Sequence, residues 1–185
     1  MAPRKSSVYN IEKSTGSNHC VGIVLLDQNE FRSALSQFAT GVTVITTLGD
    51  EGQPHSMTAN AFSSICLDPP TIMVCIGHNT HTHGFLQKTN RFGVNILTQD
   101  QQELGVYFAK KLEDRDGGVE YQYSEGNDKV PVLEGSMVFF GCEVLGTHVY
   151  GDHTIYIGAV REMRREEPGA PLMFYNSRWY NPAGE

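Results

Sequence analysis

In the stretch Val42-Thr43-Val44-Ile45-Thr46-Thr47, Val42, Val44 and Thr46 alternate with Thr43, Ile45 and Thr47. Six β-branched residues in period-two alternation are a strand signal. Leu48-Gly49-Asp50-Glu51-Gly52 follows as a turn with two glycines. Ser56 to Ser64 is then expected to return as the second strand of a hairpin. Such a direct return needs no crossover helix, and it marks an antiparallel sheet. Asp68-Pro69-Pro70 ends that strand, because proline donates no ladder hydrogen bond.

The same reading extends outward along the chain. Thr71-Ile72-Met73-Val74-Cys75-Ile76 is a compact apolar strand, expected to be buried on both faces. Gly77 to Thr82 is a polar loop, and Thr82 to Lys88 makes one or two helical turns. Phe92-Gly93-Val94-Asn95-Ile96-Leu97 is another strand. Gln101 to Lys111 reads as a helix, with Leu104, Phe108 and Leu112 at four-residue spacing. Residues 113–130 are rich in charge, glycine and tyrosine and read as a long surface excursion. Ser136 to Thr147 and Thr154 to Met163 form two long strands joined around Tyr150-Gly151-Asp152. Leu172-Met173-Phe174-Tyr175 is expected to close the sheet. Upstream, Asp27 and Glu30 have capping-box spacing, and Phe31, Leu35 and Phe38 lie on one face of a short helix. The fold class is therefore mainly β with short helices, an antiparallel barrel and not a Rossmann sheet. Residues 1–26 are polar and form an N-terminal tail, leaving 27–185 as one domain.

Composition narrows the function. Lys and Arg number 14 against 21 Asp and Glu, a net charge of −7. An acidic chain argues against nucleic acid as the main partner. No run approaches the ~18 apolar residues of a membrane helix. The apolar patch Cys20 to Leu26 is followed by Asp27-Gln28-Asn29-Glu30 and lacks a signal-peptide cleavage pattern. Cys20, Cys66, Cys75 and Cys142 include no C-x-x-C pair, which fits buried free thiols in a reducing, cytoplasmic setting.

Neither of the two commonest nucleotide cradles, G-x-G-x-x-G and G-x-x-x-x-G-K-[ST], occurs, nor do G-x-S-x-G or H-E-x-x-H. His78, His81 and His83 form a cluster with no Cys or carboxylate inside it, so no metal is expected there. Met57-Thr58-Ala59-Asn60-Ala61-Phe62-Ser63-Ser64 is unusual for a strand, being rich in small residues and hydroxyls. It is either a solvated edge strand or a backbone against which a flat ligand lies. Gly151-Asp152-His153-Thr154 is a turn carrying a histidine.

Taken in order, these segments resemble the short-chain flavin reductases, the reductase components of two-component flavin-dependent monooxygenases. Phe38-Ala39-Thr40-Gly41 with the strand to Thr47 is similar to the family's opening. Met57 to Ser64, Leu67-Asp68-Pro69-Pro70 and Phe92 to Leu97 follow in the family's order. Gly151-Asp152-His153-Thr154-Ile155 with Gly158 resembles its G-D-H segment, and Pro171 to Tyr175 with Tyr180 its closing strand. The resemblance spans roughly residues 30–180.

The resemblance implies a split, Greek-key β-barrel that forms a homodimer, with FMN or FAD held near the subunit interface. It implies reduction of that flavin by NADH, in preference to NADPH, and delivery of reduced flavin to a separate monooxygenase. By the same resemblance, Met57, Thr58, Ala59, Asn60 and Ala61 meet the isoalloxazine and ribityl chain, and Ser63 and Ser64 lie toward the phosphate. Ile76, Gly77, His78, Asn79 and Thr82 belong to the loop that wraps the flavin. Gly151, Asp152 and His153 meet the nicotinamide nucleotide, where His153 takes a positioning role. Ala61 and Cys66 stand where the family often has serine. His78 and His81 stand where charged residues are frequent, and Lys88 and Arg91 are the nearest fixed cations in sequence. A flavin-binding electron carrier on the same barrel, without direct use of NADH, is the alternative function.

Overall fold

The computed structural model describes residues 27–166 and 169–180. The tail expected over residues 1–26, with Cys20, lies outside the described residues.

Helix α1 (Gln28–Leu35) begins at Asp27, whose Oδ1 accepts from the amides of Asn29 and Glu30 at 3.0 and 2.9 Å. It ends before Phe38, and none of its residues is buried. Strands β1 (Thr40–Gly41), β2 (Thr43–Leu48), β3 (Pro54–Ala59), β4 (Phe62–Leu67) and β5 (Pro70–Gly77) follow. Helix α2 (His81–Thr89) is capped by Thr80, whose hydroxyl accepts from the His83 amide. Next come β6 (Arg91–Ile96), α3 (Gln102–Ala109), β7 (Tyr123–Glu125), β8 (Pro131–Leu133), β9 (Val138–Tyr150), β10 (His153–Arg165), β11 (Met173–Tyr175) and β12 (Arg178–Tyr180).

Seven strands form one antiparallel sheet in the order β3-β2-β6-β9-β10-β5-β4. Its edges, β3 and β4, are consecutive in the chain. The expected single strand from Ser56 to Ser64 is therefore two strands, broken at Asn60-Ala61. The Ala61 carbonyl turns to accept from the Cys75 amide at 3.0 Å, which carries the chain onto β5. Three residue steps separate Ala59 from Phe62, so the opposite edges of the sheet lie within ~10 Å of each other there. The sheet is strongly curled, yet no hydrogen bonds pair β3 with β4 among the described residues.

Two apolar clusters flank β2. Ile45 points inward to Ile72, Val74, Ile76, Phe92, Val94 and Tyr156. Val42 and Val44 point outward to Leu97, Leu104, Phe108, Leu133 and Leu172, where α3 covers the sheet. Burial on both sides leaves β2 no exposed face, and its threonines Thr43, Thr46 and Thr47 are buried with their hydroxyls bonded to backbone carbonyls. Asn95 is fully buried but satisfied: its Nδ2 donates to the Val44 carbonyl at 3.0 Å and its Oδ1 accepts from the Leu133 amide at 2.9 Å. Gly158 leaves room for Phe92, whose ring carbons would lie 2.6 Å from a Cβ at that position.

Three further expectations need correction. Leu172 to Tyr175 does not close the main sheet, because β11 pairs with β1 and β12 in a separate three-stranded sheet. The strand over Thr71 to Ile76 is not buried on both faces, since Met73 and Cys75 are only partly covered and line a cleft. The cysteines are not uniformly buried: Cys142 is buried, Cys75 partly exposed and Cys66 exposed. Residues 113–130 do run over the surface as expected, mostly exposed, but the segment is anchored. Arg115 donates to the carbonyls of Ser56 and Phe108 at 2.9 and 3.3 Å and lies over the Phe108 ring. Tyr123 hydrogen-bonds Ser56 through its hydroxyl at 2.7 Å, and Tyr121 packs edge-on against Phe108 and Tyr123.

Candidate functional site

The break at Asn60-Ala61 opens onto a cleft of about 1030 Å3, lined by Thr43, Asn60, Ala61, Met73, Cys75 and Phe174 among others. Its walls are mostly apolar, and its size is at the upper end for a ligand site. Asn60 and Ala61 are exposed, while Met57, Thr58 and Ala59 are half-buried on the strand leading to them. The Thr58 hydroxyl donates to the Gly105 carbonyl at 2.7 Å, which ties β3 to α3. Small side chains at Ala59 and Ala61 leave the backbone approachable, which suits a flat ring lying against it.

A second concavity, of about 240 Å3, lies between β3, the start of α2 and the segment after α3. His55, Met57, Asn79, Thr82, Lys111 and Arg115 line it. His55 is buried, and its Nε2 meets the Thr82 hydroxyl at 2.9 Å. Burial, with smaller repulsion from Arg115 and His81, holds its pKa down at about 4. The ring is therefore neutral at pH 7 and acts as a fixed hydrogen-bonding group. Nothing in the local sequence distinguishes His55 or Arg115; tertiary packing brings both to this wall.

A third, shallower depression of about 370 Å3 lies over the loop before α2, bordered by Asp50, His78, Asn79 and Lys88. The β10 end is latched to that loop. His153 pairs with Gly77 in the antiparallel register, and the His78 amide donates to the Asp152 carbonyl at 2.9 Å. The His78 Nε2 lies 2.9 Å from the Thr154 hydroxyl. His153 Nδ1 lies 2.7 Å from Asp152 Oδ1. That contact, chiefly its hydrogen bond, holds the exposed Asp152 carboxyl below its usual range. A Cβ on Gly77 would sit 3.1 Å from Asn79 Oδ1 and 3.4 Å from His153 Nε2, so these two side chains converge over Gly77.

The expected site residues thus do not fall in one pocket. Gly77, His78, Asn79, Gly151, Asp152 and His153 come together where β5 meets β10. Asn60 and Ala61 lie in the large cleft, and Met57 in the smaller one. Ser63 and Ser64 are exposed on the β4 edge. Two members have their side chains wholly buried. Ile76 is wholly buried in the core, and Thr82 is wholly buried against His55. Among the described residues, no group of three or more His, Cys, Asp or Glu is placed to hold a metal ion. No helix among them is long and apolar enough to cross a membrane.

Comparison with known proteins gives these surfaces a context. Residues 35–183 match the family model described as a flavin reductase like domain. An NADH-dependent flavin reductase of a Rhodococcus species is 39% identical over 146 residues, covering 78% of this chain and 80% of that relative. Flavin reductase PheA2 superposes with a TM-score of 0.78 at 38% identity, over 86% of this chain and 100% of its own. The styrene monooxygenase flavin reductase of Pseudomonas putida superposes with a TM-score of 0.75 at 37% identity, over 82% and 97% of the two chains. With a family match across most of its length and relatives well above 30% identity, this chain belongs to the flavin reductase family.

Proposed function

We propose that the protein is an NAD(P)H:flavin oxidoreductase that reduces FMN or FAD with NADH and supplies reduced flavin to a separate monooxygenase. The observation that carries this reading is the small-residue break at Asn60-Ala61 on the rim of an open, apolar cleft, with His153 converging on the adjoining strand end. The residues fit a flavin: the exposed Ala61 and half-buried Ala59 leave room for a ring, and Asn60 and Asn79 supply directional hydrogen bonds. Bound flavin would accept a hydride at N5 from the nicotinamide C4, chemistry that no amino-acid side chain provides.

The protein's part is orientation. No nucleophile or general base is required of it, only placement of two rings at ~3–3.5 Å. Backbone and small side chains over Thr58 to Ala61 hold one ring while leaving its other face open. With its Nδ1 on Asp152, His153 keeps Nε2 directed over Gly77, where it orients the nicotinamide. The flavin is also a product, so the open cleft suits release better than a closed cavity would.

The curled sheet, with β3 and β4 unpaired but adjacent, supports a split-barrel architecture for residues 27–185. Homodimerisation is supported by the apolar residues left uncovered in one chain. Leu67 on the β4 edge is 91% exposed and Phe38 77%, with Phe31, Leu35 and Ile65 also exposed. An edge strand of this kind calls for a covering partner. A soluble, cytoplasmic setting fits the chain's acidic balance and its free thiols.

A steady-state assay crossing FMN and FAD with NADH and NADPH tests the function. The expected result is flavin-dependent oxidation of NADH, faster than that of NADPH. Absence of nicotinamide oxidation with either flavin would refute it.

A further inference from the structure

The turn that carries His153 has little of its own to hold it. Gly151 adopts a left-handed φ of +59°, and the side chains of Asp152 and His153 are 95% and 54% exposed. A side-chain contact at such exposure contributes little, because water competes for both partners. Yet hydride transfer loses rate steeply when the rings are misplaced. Something must transmit the rigidity of the core to this turn.

A chain of contacts does so, and it runs through His78. Tyr156 is anchored in the core of the sheet. Its hydroxyl meets His83 Nδ1 at 2.8 Å, which fixes that ring on α2. The His83 ring packs against the His78 ring with centroids 4.7 Å apart. From there His78 grips both the turn and β10, by its amide to the Asp152 carbonyl and by its Nε2 to the buried Thr154 hydroxyl. Its ring nitrogen and its amide thus engage the residues on either side of His153, one on β10 and one in the turn before it.

We infer that His78 is a positioning residue for hydride transfer. Through Thr154 and Asp152 it locks the His153 turn to the loop before α2, and thereby sets where the nicotinamide rests. This rests on the flavin reductase reading above and gives His78, placed by resemblance in the flavin-wrapping loop, a second role exerted through Thr154 and Asp152.

The test is anaerobic stopped-flow reduction of saturating flavin by NADH. Thr154→Val removes the hydroxyl from a residue that touches no ligand. It should raise the NADH concentration for half-maximal reduction about fivefold, the worth of one neutral hydrogen bond. Flavin Kd, read by fluorescence quenching, should stay within twofold. His78→Phe keeps a ring but no nitrogen and should raise the NADH requirement equally. The double variant should be no worse than either single one, because both remove one contact. His78→Gln restores a polar atom near the Nε2 position and should recover most of the affinity for NADH.

Wild-type NADH dependence in Thr154→Val and His78→Phe overturns the inference. So does a double variant whose effects multiply, or a flavin Kd weakened as much as the NADH requirement. If His78→Phe does not fold, Thr154→Val and His78→Gln still decide the matter. Failure of the wild-type chain to oxidise NADH with any flavin removes the functional reading itself, and the inference falls with it. A wild-type chain that turns over normally beside an unaffected Thr154→Val refutes the inference alone.

Discussion

Gly77 ends β5 opposite His153, and the change Gly77→Ala puts one methyl group between two side chains. That methyl would meet Asn79 Oδ1 at 3.1 Å and His153 Nε2 at 3.4 Å. Both are ends of exposed side chains, so Asn79 yields by a few tenths of an ångström, His153 stays at the limit of ordinary contact, and the backbone stays in place. Replacing a strand glycine also reduces the entropy of the unfolded chain, which contributes about 0.5–1 kcal/mol of stability. For a domain of this size that raises Tm by about 1–4 °C. Misplacement of about 1 Å costs on the order of a hundredfold in rate, so a shift of about 0.3 Å costs about fourfold. The variant should therefore melt no lower than wild type yet transfer hydride from NADH about fourfold more slowly. Thermal melts and single-turnover reduction, measured on one preparation, give both numbers. An unchanged rate with an unchanged or higher Tm would show that His153 and Asn79 do not border the nicotinamide.

Three further outcomes are expected. His153→Ala should raise the KM for NADH severalfold while flavin affinity, titrated by fluorescence, changes less. Because the folded-state pKa of His55 lies near 4 and the ordinary value is 6.5, the unfolded chain binds the extra proton between those values. Stability is then fully present above about pH 6.5 and is lost as pH falls toward 4, by about 2 kcal/mol after allowance for screening; His55→Gln should flatten urea midpoints measured between pH 7 and 5. Leu67→Lys on the β4 edge should shift the sedimenting species toward monomer, and a species of unchanged mass would contradict the β4 contact.

Much of the scaffold was readable before any coordinates. The alternation from Val42 to Thr47, the double proline after Asp68 and the polar interval at Tyr150 to Asp152 each act through local backbone physics, and each marks a real boundary. The break at Asn60-Ala61 was not readable. Small and hydroxyl residues from Ser56 to Ser64 weaken the strand signal evenly along the run without marking a stop, and only the Ala61 carbonyl's bond to the Cys75 amide shows where the chain changes edge. Ile76 and Thr82 mark a similar boundary within the site. Each adjoins exposed loop residues in sequence, but strand alternation turns Ile76 inward and His55 claims the Thr82 hydroxyl. The Leu172–Tyr175 segment carries apolar residues suited to any sheet; its pairing with Thr40-Gly41 depends on where the chain leaves α1.

The two-residue step between β3 and β4 also governs which changes of length the protein can accept. The Leu48–Gln53 hairpin projects from neighbouring strands, so extra residues there would only enlarge a solvent loop. Extra residues at Asn60-Ala61 would slacken the tether between the first and last ribs of a curved wall and let the mouth of the cleft widen. Homologues that accommodate bulkier ligands by lengthening the chain should therefore do so anywhere but here.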